Sequence, residues 1–151
     1  MPVIVVGADT PDGRRLVEAL IEPGREVRAF VSDPSVGADL KALGAKVAVG
    51  DVSDDSHIEG ASTRCFSAVL VTEAARDDRE RSFASDEAEV LTGWVKAVEA
   101  SQVQRVIWVS AEDPPPTRIR EVAVVSPDDT ELLQKVVDLD DAQTVDINFS
   151  S

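Results

Sequence analysis

The stretch Val3-Ile4-Val5-Val6-Gly7-Ala8-Asp9-Thr10-Pro11-Asp12-Gly13 decides how this chain folds. Its first four residues are apolar and β-branched without alternation, the pattern of a strand buried on both faces. Gly7 ends the run, and Thr10-Pro11 reads as an N-cap followed by a first helical position. Leu16, Val17, Leu20 and Ile21 recur at helical spacing until Pro23-Gly24 stops the helix. A strand, a glycine-bearing turn and a helix in direct succession begin a βαβ unit. In doubly wound sheets that first turn is where ligands bind, because its backbone meets a phosphate without a Cβ in the way.

The alternation continues outward from this unit. Strands are expected over Val27–Val31, Lys46–Gly50, Ser67–Thr72 and Arg105–Ser110, with a last one over Thr144–Phe149. Between them lie a short helix holding Leu40 and Leu43 that ends at Gly44, a weak one over about 54–61, and a long one. The long helix buries Val90, Leu91, Trp94, Val95 and Val98, and Asp86 and Glu87 in its first turn suit the helix dipole. Pro114-Pro115-Pro116 breaks regular structure. Ser126-Pro127-Asp128-Asp129 reads as a further helix start, with Leu132, Leu133, Val136 and Val137 as its buried stripe. This order predicts one domain over 1–151: an α/β, Rossmann-like, doubly wound and mainly parallel sheet of about six strands, with helices on both faces.

Composition narrows the classes of function. With 43% hydrophobic residues the chain is globular. Its net charge, 15 − 29 = −14, excludes the basic footprint that nucleic acid or an anionic membrane needs. No apolar run approaches the about twenty residues of a membrane span, and no signal segment is visible at Met1. The single cysteine, Cys65, allows no internal disulfide, which fits a cytoplasmic location. With one histidine, His57, expected on the surface, there is no metal-ligand cluster.

Four segments taken together carry a family resemblance: Gly7 to Gly13, Glu26 to Pro34, Gly50-Asp51-Val52, and Val103 to Ser110. In this order they resemble the NmrA-like branch of the atypical short-chain dehydrogenase/reductases, over nearly the whole chain. The resemblance implies an NAD(P)-binding site in which Gly7 and Gly13 are the outer glycines of a GxxGxxG turn, with Asp9 and Thr10 between them. It places Ser32 and Asp33 near the adenosine ribose, Asp51 toward the adenine, and Thr72 with Glu73 in the crevice beyond the fourth strand. Asp33 also suits a turn opening at Pro34, and Asp51 a helix cap.

Against that pattern the chain departs at several positions. Thr10 replaces the middle glycine, so its Cβ and methyl compete with a pyrophosphate, although its hydroxyl could donate to one. Asp9, Asp12 and Glu73 add negative charge, which at short range opposes a pyrophosphate by roughly a kcal/mol or more. Ser32 stands where the family often has a base for the NADP 2′-phosphate, and Asp33 tilts the choice toward NAD. The chain has no tyrosine, hence no tyrosine–lysine pair for proton transfer. Ser110 has no adjacent base, and Lys135 no evident partner. No catalytic residue is assigned.

The family's substrate-binding region beyond the last strand is also expected to be lacking. The reading that follows is a non-catalytic accessory or regulatory subunit, with NAD or NADP held weakly or not at all. Its expected partner is another protein or a second copy, and the acidic segment from Arg76 to Glu89 is a candidate docking surface. The alternative is an NAD(P)-binding redox sensor or minimal NAD(P)-dependent oxidoreductase.

Overall fold

A computed structural model describes residues 2–22, 24–76 and 84–145, together with the backbone of 149–150. The elements follow in the order β1 (Val3–Val6), α1 (Pro11–Leu20), β2 (Val27–Val31), α2 (Pro34–Ala42), β3 (Lys46–Val49), α3 (Asp55–Ala61), β4 (Ser67–Val71), α4 (Glu73–Arg76), α5 (Glu87–Ala100), β5 (Arg105–Val109), β6 (Glu121–Val125), α6 (Leu132–Asp141) and β7 (Phe149–Ser150). The strands form one sheet in the order β3-β2-β1-β4-β5-β6-β7, and every pair is parallel. Chain order reverses between β1 and β4. The crevice at that reversal is where doubly wound sheets bind ligands.

Alternate residues of the buried strands face two cores. Val3, Val5, Val69 and Ile107 pack under Leu16 and Leu20 of α1, Leu40 of α2 and Val136 of α6. Ile4, Val6, Leu70 and Trp108 pack under Ile58 of α3 and Val90, Trp94 and Val98 of α5. Trp94 is fully buried, and its indole N–H donates to the Val52 carbonyl at 2.7 Å, so its polar edge is satisfied within the core. The doubly wound architecture expected from the sequence is therefore present, with six strands of four or five residues and a two-residue seventh.

Several local expectations need correction. Glu121–Val125, between the proline run and α6, is a strand, paired with β5 from Arg105↔Glu121 to Val109↔Val125. Like β5 it begins with a charged residue and continues with four apolar ones, Val122 to Val125, so its strand signal is present in the sequence, close behind the proline run. Ser126 to Asp129 is a turn outside the helix; α6 begins at Leu132, and its N-cap Glu131 makes no side-chain cap bond. The last strand is Phe149–Ser150, Val145 lies outside it, and 146–148 fall outside the described residues. So does Pro23, while Ile21 caps α1. Leu43 is the C-cap of α2 and is 47% exposed.

At the amino edge of the sheet Arg25 pairs with Glu22, Asp140 and Asp141. Burial raises the Asp140 carboxyl above its ordinary value of 3.8, and the nearby Arg25 offsets this only in part. A carboxyl with a raised folded-state pKa destabilises the fold as it ionises. Its favourable neutral form is complete below the unfolded value and is lost as pH climbs through the folded one. Asp140→Asn is thus expected to melt higher than the parent at neutral pH. That gain should vanish on acidification to below 3.8; urea melts across that window would check it.

Candidate functional site: the carboxyl edge of the sheet

Because all strands run the same way, the loops after β1, β2, β3, β4, β5 and β6 converge on one edge. The loop Gly7–Gly13 lies at its centre. Gly7 has φ +86°, a conformation that favours glycine, and an added Cβ would stand 2.9 Å from the Ala74 Cβ. Thr10 is 2% exposed and turned into the loop. Its hydroxyl donates to the Gly7 carbonyl at 2.7 Å and accepts the Gly13 amide at 3.0 Å. Thr10 is thus the N-cap of α1, as expected, and that hydroxyl is not turned toward a phosphate.

The same bonding limits what the helix end can offer an anion. Pro11 at the first position has no N–H, and the Gly13 amide is taken by Thr10. Among the described residues, Asp12 keeps the remaining first-turn amide without a protein acceptor. The Asp12 carboxylate pairs with Arg15, which reduces the repulsion expected there.

At the end of β2 Asp9 reaches across from the first loop. Its Oδ2 accepts the amides of Ser32 at 2.9 Å and Asp33 at 3.1 Å. Asp33 also caps α2, its Oδ1 accepting from the Ser35 amide at 2.9 Å and hydroxyl at 2.7 Å. Asp51 accepts from the amide and hydroxyl of Ser53 at 2.8 and 2.6 Å, while Asp54 is the residue that caps α3. Exposed His57 packs edge-on against buried Phe30, with ring centroids 5.1 Å apart. The fold therefore brings Asp9, Ser32 and Asp33 together around the end of β2. Asp51 follows β3, beside that strand.

A crevice of about 370 Å³ opens beyond β4, β5 and β6. Val71, Val109, Ala111 and Pro127 give it an apolar floor, and Asp12, Glu73, Arg76 and Asp128 stand around it. The Thr72 hydroxyl is buried and donates to the Val109 carbonyl at 3.1 Å. Ser110 donates to the Glu112 carbonyl at 2.7 Å and accepts the Glu112 amide at 3.2 Å. Lys135, for which the sequence offers no partner, pairs with Asp129 at 2.5 Å. Arg76, Pro127 and Asp128 are lining residues that sequence reasoning missed; the apolar run Val122 to Val125, read as a strand, would have placed the last two at its end. Half of the acidic segment from Arg76 to Glu89 lies outside the described residues, which resume at 84.

Carboxylates at Asp9 and Asp33, with no base at Ser32, can accept from ribose hydroxyls and oppose a 2′-phosphate. Among the described residues there is no group of three or more His, Cys, Asp or Glu that could hold a metal ion. No described helix is long and apolar enough to cross a membrane.

Comparison with known proteins places the chain in a family. Residues 7–131 match the NAD(P)H-binding family model. No curated protein matches the chain. Among solved structures, the anaerobillin reductase ChuY of Escherichia coli O157:H7 superposes with a TM-score of 0.70 at 14% identity, over 99% of this chain and 94% of that one. A triphenylmethane reductase of Citrobacter sp., solved with NADP(H), gives 0.60 at 16% identity over 73% of this chain and 37% of that one. An NADPH-dependent quinone oxidoreductase of Escherichia coli, solved with NADPH, gives 0.58 at 21% identity, over 72% and 36%. The chain thus spans under half the length of these last two, and at such identities the likeness is one of fold. With the family model covering most of its length, the chain belongs to the NAD(P)H-binding family, a Rossmann family of the atypical short-chain dehydrogenase/reductase type.

Proposed function

We propose that this protein binds a nicotinamide dinucleotide along the carboxyl edge of its sheet, NAD in preference to NADP, as a minimal oxidoreductase or redox sensor. The observation that carries the reading is the family match over residues 7–131, which takes in the Gly7–Gly13 turn and the whole crevice lining. Bound there, the nicotinamide supplies hydride chemistry, and the protein's part is to hold and orient it. With one helix-end amide available, affinity is expected to be modest. The short length of ChuY, named a reductase, supports a small chain working in this way. Cys65 is buried with its thiol pushed up to about 11, so it is a packing residue, and we place the protein in the cytoplasm.

Melting curves with NAD, NADH, NADP and NADPH test this reading. Saturation at a hundred times Kd adds about 2.7 kcal/mol, a clear shift. The NAD pair is expected to bind about ten-fold tighter than the NADP pair. Ser32→Arg should bring NADP level by supplying the missing base. No shift with any of the four at millimolar concentration would sink the reading.

A second reading, an accessory or regulatory subunit without catalysis, is favoured by one observation. Thr10, Thr72 and Ser110 all spend their hydroxyls on backbone groups, in a chain without tyrosine. It requires a protein partner or a second copy. A lone monomer, with nothing retained when the tagged chain is recovered from its host, would count against it.

A further inference from the structure

The crevice beyond β4, β5 and β6 carries a charge pattern that dinucleotide binding leaves unused. Three carboxylates, Asp12, Glu73 and Asp128, face one guanidinium, Arg76, over an apolar floor. Arg76 is already paired with Glu87 of α5 at 3.3 Å, and Asp12 with Arg15. Glu73 and Asp128 are exposed, and among the described residues neither meets a counter-charge. Among the described residues the lining of the crevice is therefore net negative.

Proton supply points the same way. Hydride addition to a neutral carbonyl creates an alkoxide, which needs an acid or an oxyanion donor. Here Thr72 and Ser110 donate to backbone carbonyls and no tyrosine exists, while carboxylates oppose an oxyanion. A cationic acceptor needs neither donor.

We propose that the hydride acceptor in this crevice is an organic cation, a conjugated iminium or heteroaromatic ring with an apolar body. The proposal rests on the dinucleotide reading above. A hydride leaves C4 of the reduced nicotinamide with its electron pair and forms a C–H bond at the electrophilic carbon of the acceptor. The C=N⁺ π pair moves onto nitrogen, which becomes a neutral amine, and the nicotinamide is left oxidised and cationic. No proton is taken up or released. Positive charge passes from acceptor to nicotinamide, so Glu73 and Asp128 favour the crevice's contents before and after transfer. The acceptor's apolar body lies on Val109, Ala111 and Pro127.

The test compares N-methylacridinium with acridine, its neutral counterpart at alkaline pH, by fluorescence titration of the full chain without reductant. The cation is expected to bind about ten-fold tighter, less so at high salt. The preference should fall to about two-fold in the double variant Glu73→Gln, Asp128→Asn. Both positions are exposed and both changes isosteric; unchanged melting would confirm the fold, and each single variant gives a second reading. Equal binding of the two probes overturns the proposal, as does a preference the variants leave intact. Melting with NADH, measured in parallel, separates the two layers. A shift without charge preference overturns the acceptor class alone. Charge preference with no shift from any dinucleotide overturns both.

Discussion

Gly13→Ala is expected to cost at least about 3 kcal/mol of stability, whereas Gly60→Ala should cost nothing. At Gly13 an added Cβ would overlap the Gly7 carbonyl oxygen and come within 2.8 Å of both the Gly7 carbonyl carbon and Thr10 Oγ1. Two of these are backbone atoms, and the third is a hydroxyl held by two hydrogen bonds. The Gly7 carbonyl accepts the Thr10 hydroxyl at 2.7 Å, and that hydroxyl holds the Gly13 amide at 3.0 Å, so the clash falls on a closed ring of bonds. Relief requires α1 to move off β1, opening the core between Val3, Val5, Leu16 and Leu20. For a chain of this size the loss corresponds to a fall in melting temperature of roughly 10 °C. Gly60 lies within α3, where an added Cβ would meet nothing within 4 Å, and alanine is the better helix former by about 1 kcal/mol. Thermal melts of the two variants side by side check the contrast. Similar melting of both would mean that Gly13 is not a packing residue.

That contrast also marks what the sequence could say about the site. The Val3–Val6 strand and the Thr10-Pro11 helix start depend on neighbours within a few residues, and both are legible. So is the N-terminal dipole pairing of α5, where Asp86 caps and Glu87 and Glu89 follow. The orientation of Thr10 is not. A threonine in a phosphate loop can turn its hydroxyl outward, and only the position of the Gly7 carbonyl decides against it. Asp9 is the stronger case, since its carboxylate finds the amides of Ser32 and Asp33 across the sheet edge. Nothing in the spacing of those residues announces a bond over that separation. β6 differs: its apolar run, Val122 to Val125, matches that of β5, but the proline run just before it makes the stretch read as a connection. Without β6, one wall of the crevice stays hidden.

Arg105→Met is expected to lower stability by about 3–5 kcal/mol, the usual cost of removing one member of a buried charge network. Arg105 opens β5 with its side chain fully buried. One guanidinium nitrogen donates to the carbonyls of Leu139 and Asp140, at 2.8 and 3.1 Å, at the end of α6. The other donates to Glu121 Oε1 at 2.8 Å and to the Gln143 carbonyl at 3.2 Å. Glu121 in turn accepts the Val145 amide at 2.8 Å, and the guanidinium sits 4.9 Å from the Phe66 ring centroid. The side chain therefore caps α6, where the helix dipole favours a cation, and ties β5, β6 and the segment after α6 together. Methionine fills much of the volume but donates nothing, leaving three carbonyls and the Glu121 carboxylate without their donor in a buried place. Lysine restores the charge as a single point and loses the fork, so Arg105→Lys should recover only part of the stability. Hydrogen exchange in the methionine variant is expected to rise first in α6, before β1 and β4, because the contacts of those central strands are untouched. Uniform loss of protection across the sheet would instead make Arg105 a determinant of the whole core, and an unchanged melting temperature would show that the network contributes no net stability.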